Sequence, residues 1–159
     1  MNPSIELLLE VLDQAFDAKG WHGTTLSGSL RGVGLKQAEW RPSPRRHSIR
    51  DLVLHTAYWK YVVRRRVLGE TDRGGFARGP SNWPAAPERT DRAWKEDVRL
   101  LKRSHAALRE VVAGLSPGAL AHTSPSGAWT YREMIHGVAA HDLYHTGQIQ
   151  LLKRLYAGR

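Results

Sequence analysis

The chain has no cysteine among its 159 residues. That excludes disulfides, thiolate zinc sites and a cysteine nucleophile. No apolar run approaches the roughly 20 residues needed to cross a bilayer, so no membrane partner is expected. The opening Met1-Asn2-Pro3-Ser4-Ile5-Glu6 has neither the basic start nor the continuous apolar core of a signal peptide. A cytoplasmic protein is the simplest reading. Internal repeats and low-complexity tracts are missing, and no stretch of useful length alternates as a strand would. What is left is an all-α chain of a size that suits one domain over residues 1–159.

Acidic residues are also scarce. Fifteen Asp and Glu against 24 Lys and Arg give a net charge of +9. Such a balance invites a nucleic-acid partner. The charge is spread, however, and Arg64-Arg65-Arg66 is the one tight cluster. Few aromatics stand near it for bases to stack on. A solvated basic surface accounts for the charge better than a phosphate-binding face.

Four helical patterns carry the chain. Ile5, Leu8, Leu12 and Ala15 recur at three and four residues, which predicts a helix over 4–17 with Ser4 as its N-cap. A second stretch over 25–33 extends it, so residues 4–33 read as one long helical arm broken near Gly20 and Gly23. Residues 34–47 read as a connection. Ser48 and Asp51 have capping-box spacing and open a helix that stops at Gly69. Its inner stripe is Leu52, His55 or Thr56, Trp59, and Val62 or Val63. Residues 69–89 hold many glycines and prolines. A loop of that length is uncommon in a compact domain and can run the length of a bundle. It can therefore join two parallel helices, which predicts a four-helix bundle in up-down-down-up order with a long crossover. Trp94, Val98, Leu101, His105, Leu108 and Val112 step through the third helix, over 90–113. A loop with Pro117 and Pro125 follows. Thr130 and Glu133 then form a capping box for the last helix, whose inner face reads Met134, Val138, His141, His145, Leu152 and Leu155.

His141 and His145 are the central observation. Residues four apart on a helix differ by about 40° of rotation and one turn of rise, so both imidazoles can grip one ion. They stand where the core should be driest, and burying two imidazoles side by side is unfavourable unless something satisfies them. A metal does so. His55, inward on a neighbouring helix, supplies a third ligand. Three neutral imidazoles with an open position match a catalytic rather than a structural site. Imidazole ligation suits zinc, nickel, iron or copper better than magnesium or calcium. His105 is read as core or as support to the ligands. A di-iron site would need Glu-x-x-His twice, and only Glu133-x-x-His136 occurs. His136 precedes His141 by five residues, about 140° around the helix, and cannot share its face.

Three segments together resemble the DinB family: His47-Ser48-Ile49-Arg50-Asp51-Leu52-Val53-Leu54-His55 followed by Trp59; Trp129-Thr130-Tyr131-Arg132-Glu133; and His141-Asp142-Leu143-Tyr144-His145-Thr146-Gly147-Gln148-Ile149. Trp21-His22-Gly23 is similar to a feature of one subgroup. The resemblance implies an up-down-down-up four-helix bundle, a homodimer, and a divalent metal on His55, His141 and His145. Related members are thiol S-transferases using bacillithiol or mycothiol, and maleylpyruvate isomerase. The expected function is thus a divalent-metal-dependent enzyme, a thiol S-transferase or hydrolase acting on a small thiol or electrophile. The alternative is a non-catalytic metal-binding or basic nucleic-acid-associated bundle in a stress response. Asp51, one turn before His55, and Gln148, just after His145, are candidates to orient those imidazoles. His22 and residues 24–29 are candidates for the pocket mouth.

Overall fold

The first helix, α1 (Pro3–Phe16), starts one residue earlier than its apolar pattern suggests. Asn2 is the N-cap, its side chain accepting from the Ser4 amide at 2.9 Å. Pro3 fits the first turn because its ring presets φ and it has no N–H to satisfy. Ser4 is therefore not the cap. The computed structural model describes residues 2–71, 74–124 and 127–158, and Pro125 of the expected second loop lies outside them.

The expected long arm over 4–33 does not form. α1 ends at Phe16, and Gly20 and Gly23 pair across a tight reversal in which Gly23 has φ of 103°. The next helix, α2 (Leu26–Ser29), is a single turn capped by Thr25. Another short helix, α3 (Leu35–Glu39), occupies the expected connection. Neither is long enough to show a periodic stripe. Both are held from outside: Leu26 and Ala38 are fully buried, Lys153 Nζ donates to the Ser29 carbonyl, and Trp94 Nε1 donates to the Val33 carbonyl.

The remaining helices follow their caps. In α4 (Ile49–Val67) both halves of the Ser48–Asp51 box are made. Gly69, at φ 74°, ends it, and the Glu70 amide returns to the Arg65 carbonyl in a Schellman pattern. α5 (Asp91–Ala113) is capped by Thr90. A 3-10 turn (Pro117–Ala121) lies in the expected second loop, and α6 (Tyr131–Ala157) opens on the complete Thr130–Glu133 box. Among the described residues the chain is all-helical apart from two isolated bridges. None of the described helices is long and apolar enough to cross a membrane.

α4 packs on α5 and α6, and α1 packs on the same two helices. The apolar core falls into two clusters. One gathers Leu26, Leu52, Leu54, Trp94, Leu101, Ile149 and Leu152. The other gathers Leu8, Leu12, Val63, Val67, Leu108, Val112, Ile135 and Val138. The residues that separate them along α4, α5 and α6 are polar and buried: Lys60, His105, Asp142 and His145. Leu155, expected on the inner face of α6, is exposed instead. The crossover segment between α4 and α5 lies close to α4. Phe76 enters the core beside Tyr58 and Tyr61. At Gly74, where φ is 56°, any other residue would strain the backbone, and its Cβ would come within 2.2 Å of the Tyr61 hydroxyl and displace it.

Candidate metal centre

α4 and α6 bring His55, His141 and His145 together at the polar break in the core. Their ligand nitrogens lie within 4.8 Å of one another, the one such group of His, Cys, Asp or Glu found among the described residues. His141 Nε2 is 3.0 Å from His55 Nε2 and 3.0 Å from His145 Nε2. The pair on α6 meets because four residues bring a helix back to the same face.

The tautomers follow from the outer partners. His55 Nδ1–H donates to the Asn82 carbonyl at 2.6 Å. His145 Nδ1–H donates to Gln148 Oε1 at 2.7 Å. Both therefore present an Nε2 lone pair to the centre. His141 can place a proton on Nε2 and satisfy only one of its two neighbours. The other contact then sets lone pair against lone pair. Its Nδ1 is buried with no hydrogen-bond partner. A cation removes this conflict. A tetrahedral ion with nitrogens about 2.0–2.1 Å away holds them about 3.3 Å apart, close to the 3.0 Å of the two contacts made by His141. The residues present thus fit a divalent transition metal such as zinc, nickel or iron.

Electrostatics point the same way. Burial holds His55 below the ordinary histidine range, opposed by its bond to Asn82. Burial pushes His141 down to about 3, with the neighbouring His145 and His55 adding to it. Burial likewise lowers His145 to about 4, although the bond to Gln148 acts against it. All three are neutral near pH 7, which is the form that ligates metal.

The loop between α4 and α5 covers this centre. Trp83 stacks on His55 with ring centres 4.0 Å apart, and His47 stacks on the other face of Trp83 at 3.5 Å. Asn82 also takes the Trp59 indole N–H on its side-chain oxygen. A cavity of about 530 Å³ reaches His55 and His141 past Trp59 and Trp129. A second, of about 630 Å³, reaches His145 and Gln148 past Trp83 and Tyr144. The centre is therefore approachable from two sides.

Several expected roles move. Asp51 does not orient His55, whose Nδ1 is held by Asn82. The Asp51 carboxylate is engaged by the Ser48 amide and by Arg41. Gln148 does meet His145. His22 lines neither cavity: it is exposed, and its Nε2 bonds the Gln14 carbonyl at the end of α1. In the segment at 24–29, Thr25 caps α2 and Ser29 is buried, so it does not form the mouth either. His105 is far from being a ligand. It stacks on Phe16 at 3.8 Å, and its Nδ1 accepts from Lys60 Nζ at 3.3 Å. Lys60 in turn is paired with Asp142, both side chains fully buried. Neither Lys60 nor Asp142 was expected inside, and Asn82 and Trp83 were not anticipated at the centre. His136 is exposed, as its register requires.

A family model described as the DinB superfamily matches residues 21–149. No curated protein and no solved structure matches the chain.

Proposed function

The chain belongs to the DinB superfamily, and from that premise we propose that it is a divalent-metal-dependent enzyme, a thiol S-transferase or a hydrolase. The convergence of three neutral imidazoles on one point carries this reading. When bound, a divalent ion supplies a Lewis acid that lowers the pKa of a water or thiol brought to it. The chain does the rest. Asn82 and Gln148 fix the tautomers of His55 and His145, so that their Nε2 atoms are ready without reorganisation. Trp83 shields the outer face of His55, and the indoles at the cavity mouth restrict water. In an S-transfer the thiol would release its proton to solvent, and its sulfur would form a bond to the electrophilic carbon as the leaving group departs with its electron pair. In hydrolysis water takes the place of the thiol.

The bundle reading belongs here too: an up-down-down-up order, acting as a homodimer. α4 and α5 both run from the core cluster of Leu52 and Trp94 toward that of Val67 and Val112. α1 and α6 run from the second cluster toward the first. Two helices of one sense beside two of the other support that order.

Elemental analysis of the purified protein and of His145→Ala tests the centre. About one transition-metal ion per chain is expected, and most of it should be lost in the variant. Unchanged metal content in His145→Ala removes the proposal. Assays pairing small thiols with alkylating electrophiles then separate S-transfer from hydrolysis.

A further inference from the structure

The cavity beside His55 and His141 contains one more polar feature. His55, Trp59, Val63 and Arg66 succeed one another at steps of four, four and three, so α4 lays them along a single face. All four line the cavity. Arg66 is half-buried, with its guanidinium carbon 5.9 Å from the centre of the Trp59 ring. Trp59 lies 6.4 Å from the rings of both His55 and His141. A single indole thus separates the guanidinium from the histidines.

Arg66 differs from the adjacent Arg65 in its partners. Arg65 is engaged by Glu70 at 2.5 Å. Arg66 makes no hydrogen bond and no ion pair among the described residues, although it stands in a wall that is otherwise mostly apolar. The one carboxylate lining the cavity among the described residues, Glu133, is engaged elsewhere. Its Oε2 accepts from the backbone N–H and the hydroxyl of Thr130. A guanidinium offers a planar fork of donors that matches a carboxylate in two parallel bonds. Apolar surroundings strengthen such a pair relative to water.

We propose that Arg66 is the anion-binding residue of this cavity and that the substrate bears a carboxylate. The carboxylate ends an apolar, ring-sized body resting against Trp59 and Trp129, and the other end of the molecule lies at the histidines. The inference rests on the metal-centre reading only for that far end. The cavity volume suits a molecule of this size. A monoanion is favoured over a phosphate dianion, because among the described residues Arg66 is the only lysine or arginine lining the cavity and the Glu133 carboxylate repels a second negative charge.

Calorimetric titration of the full chain with 3-phenylpropionate and with its uncharged amide tests this. Both metal-loaded and chelator-treated protein are used, with metal content measured beforehand. The acid should bind at least about tenfold more tightly than the amide in both forms. Arg66→Gln should abolish that preference while leaving the affinity for the amide unchanged. Arg66→Lys should restore part of it. Arg64→Gln, which removes the same charge from a residue outside the cavity lining, should leave it intact. An acid preference that survives Arg66→Gln, or that disappears on chelation, places the carboxylate elsewhere and overturns the proposal. So does an equal loss in Arg64→Gln, or the absence of binding by either probe. Absence of metal from the purified protein would defeat the centre but not this preference, so the two failures are distinguishable.

Discussion

Two buried polar clusters share α4 and α6, and they differ in what they lack. The first is His55, His141 and His145. It holds three bases, no counter-charge, an imidazole nitrogen without a partner, and cavities on two sides. The second is Lys60, Asp142 and His105, one residue each from α4, α6 and α5. There the cation and carboxylate are paired, and the ammonium also donates to His105 Nδ1. His141 and Asp142 are adjacent in sequence, yet one turn of about 100° per residue sends them to different clusters. The charge-matched cluster links three helices with its cation and carboxylate paired, and what it leaves over is one buried carboxylate oxygen, Asp142 Oδ1, without a hydrogen-bond partner. The other has lone pairs in excess and is built to receive a cation. Burial alone therefore does not mark a functional site; unbalanced burial does.

The largest expected effect lies in the balanced cluster. Lys60 is fully buried, and burial already pushes the Asp142 carboxyl up despite the lysine beside it. Lys60→Met leaves that carboxylate unpaired and should lower the stability of the metal-free protein by about 3–5 kcal/mol in urea denaturation. Adding Asp142→Leu should recover much of the loss, because a packed apolar pair can replace a buried ion pair. His141→Ala in the same metal-free protein should lose less than about 1 kcal/mol, since it relieves the crowding of lone pairs. If the histidine variant is as destabilised as the lysine variant, the contrast between the clusters fails.

In the unbalanced cluster the expected loss is in affinity. Gln148→Leu removes the acceptor that fixes the His145 tautomer. Metal affinity, measured by competition with a chromophoric chelator, should fall about 10–100-fold with little change in the stability of the metal-free protein. A Gln148 variant that binds metal normally would reduce that residue to a bystander on the helix surface.

Acid separates the clusters in another way. Burial and the neighbouring Lys60 push His105 down to about 3, below the ordinary histidine value of 6.5. On acidification the unfolded chain takes up this proton first, so the contribution is fully present above the unfolded pKa and is lost as pH falls toward the folded one. Between about pH 7 and about pH 5 His105 should account for about 2 kcal/mol of lost stability. The metal-free His105→Phe variant should lose less than the parent over that interval by about this amount. Parallel pH profiles for the two would show that the imidazole is more hydrated than its burial implies.

What could be read from the sequence follows from how local each cause is. The starts of α4 and α6 were legible because a capping box lies within four residues. The inward placement of His55, His141 and His145 was legible because helical register is fixed by spacing. α2 and α3 were not, since a turn or two has no period and is held by contacts from Trp94 and Lys153 far along the chain. Asn82 and Trp83 come from a loop, and nothing in its composition indicates which residue will fold onto His55. Lys60 and Asp142 had a signal that went unread. Lys60 falls in step with Thr56 and Val63, and Asp142 with Val138 and Ile149, so each occupies a core position on its helix. An ionisable side chain in an apolar register, met by another across the bundle, is the pattern to look for.

Asp51 gives the smallest expected effect and the clearest separation of local from tertiary causes. Its position one turn before His55 fits an orienting role, and its position three residues after Ser48 fits a cap. Geometry favours the cap: Oδ2 accepts from the Ser48 amide at 2.7 Å, while His55 Nδ1 is 2.6 Å from the Asn82 carbonyl. Asp51→Ala should therefore lower stability by about 1 kcal/mol, the usual loss for one half of a helix cap with its dipole interaction. Metal affinity should stay within about twofold of the parent, well short of the loss that follows removal of an orienting partner. The Arg41 pair adds little, because that arginine is largely exposed and such pairs contribute about 1 kcal/mol or less. A marked fall in metal affinity with stability unchanged would return Asp51 to the metal centre and make the Asn82 carbonyl a secondary contact. The opposite result would show that the same carboxylate can be one helical turn from a ligand and act only on the backbone beneath it.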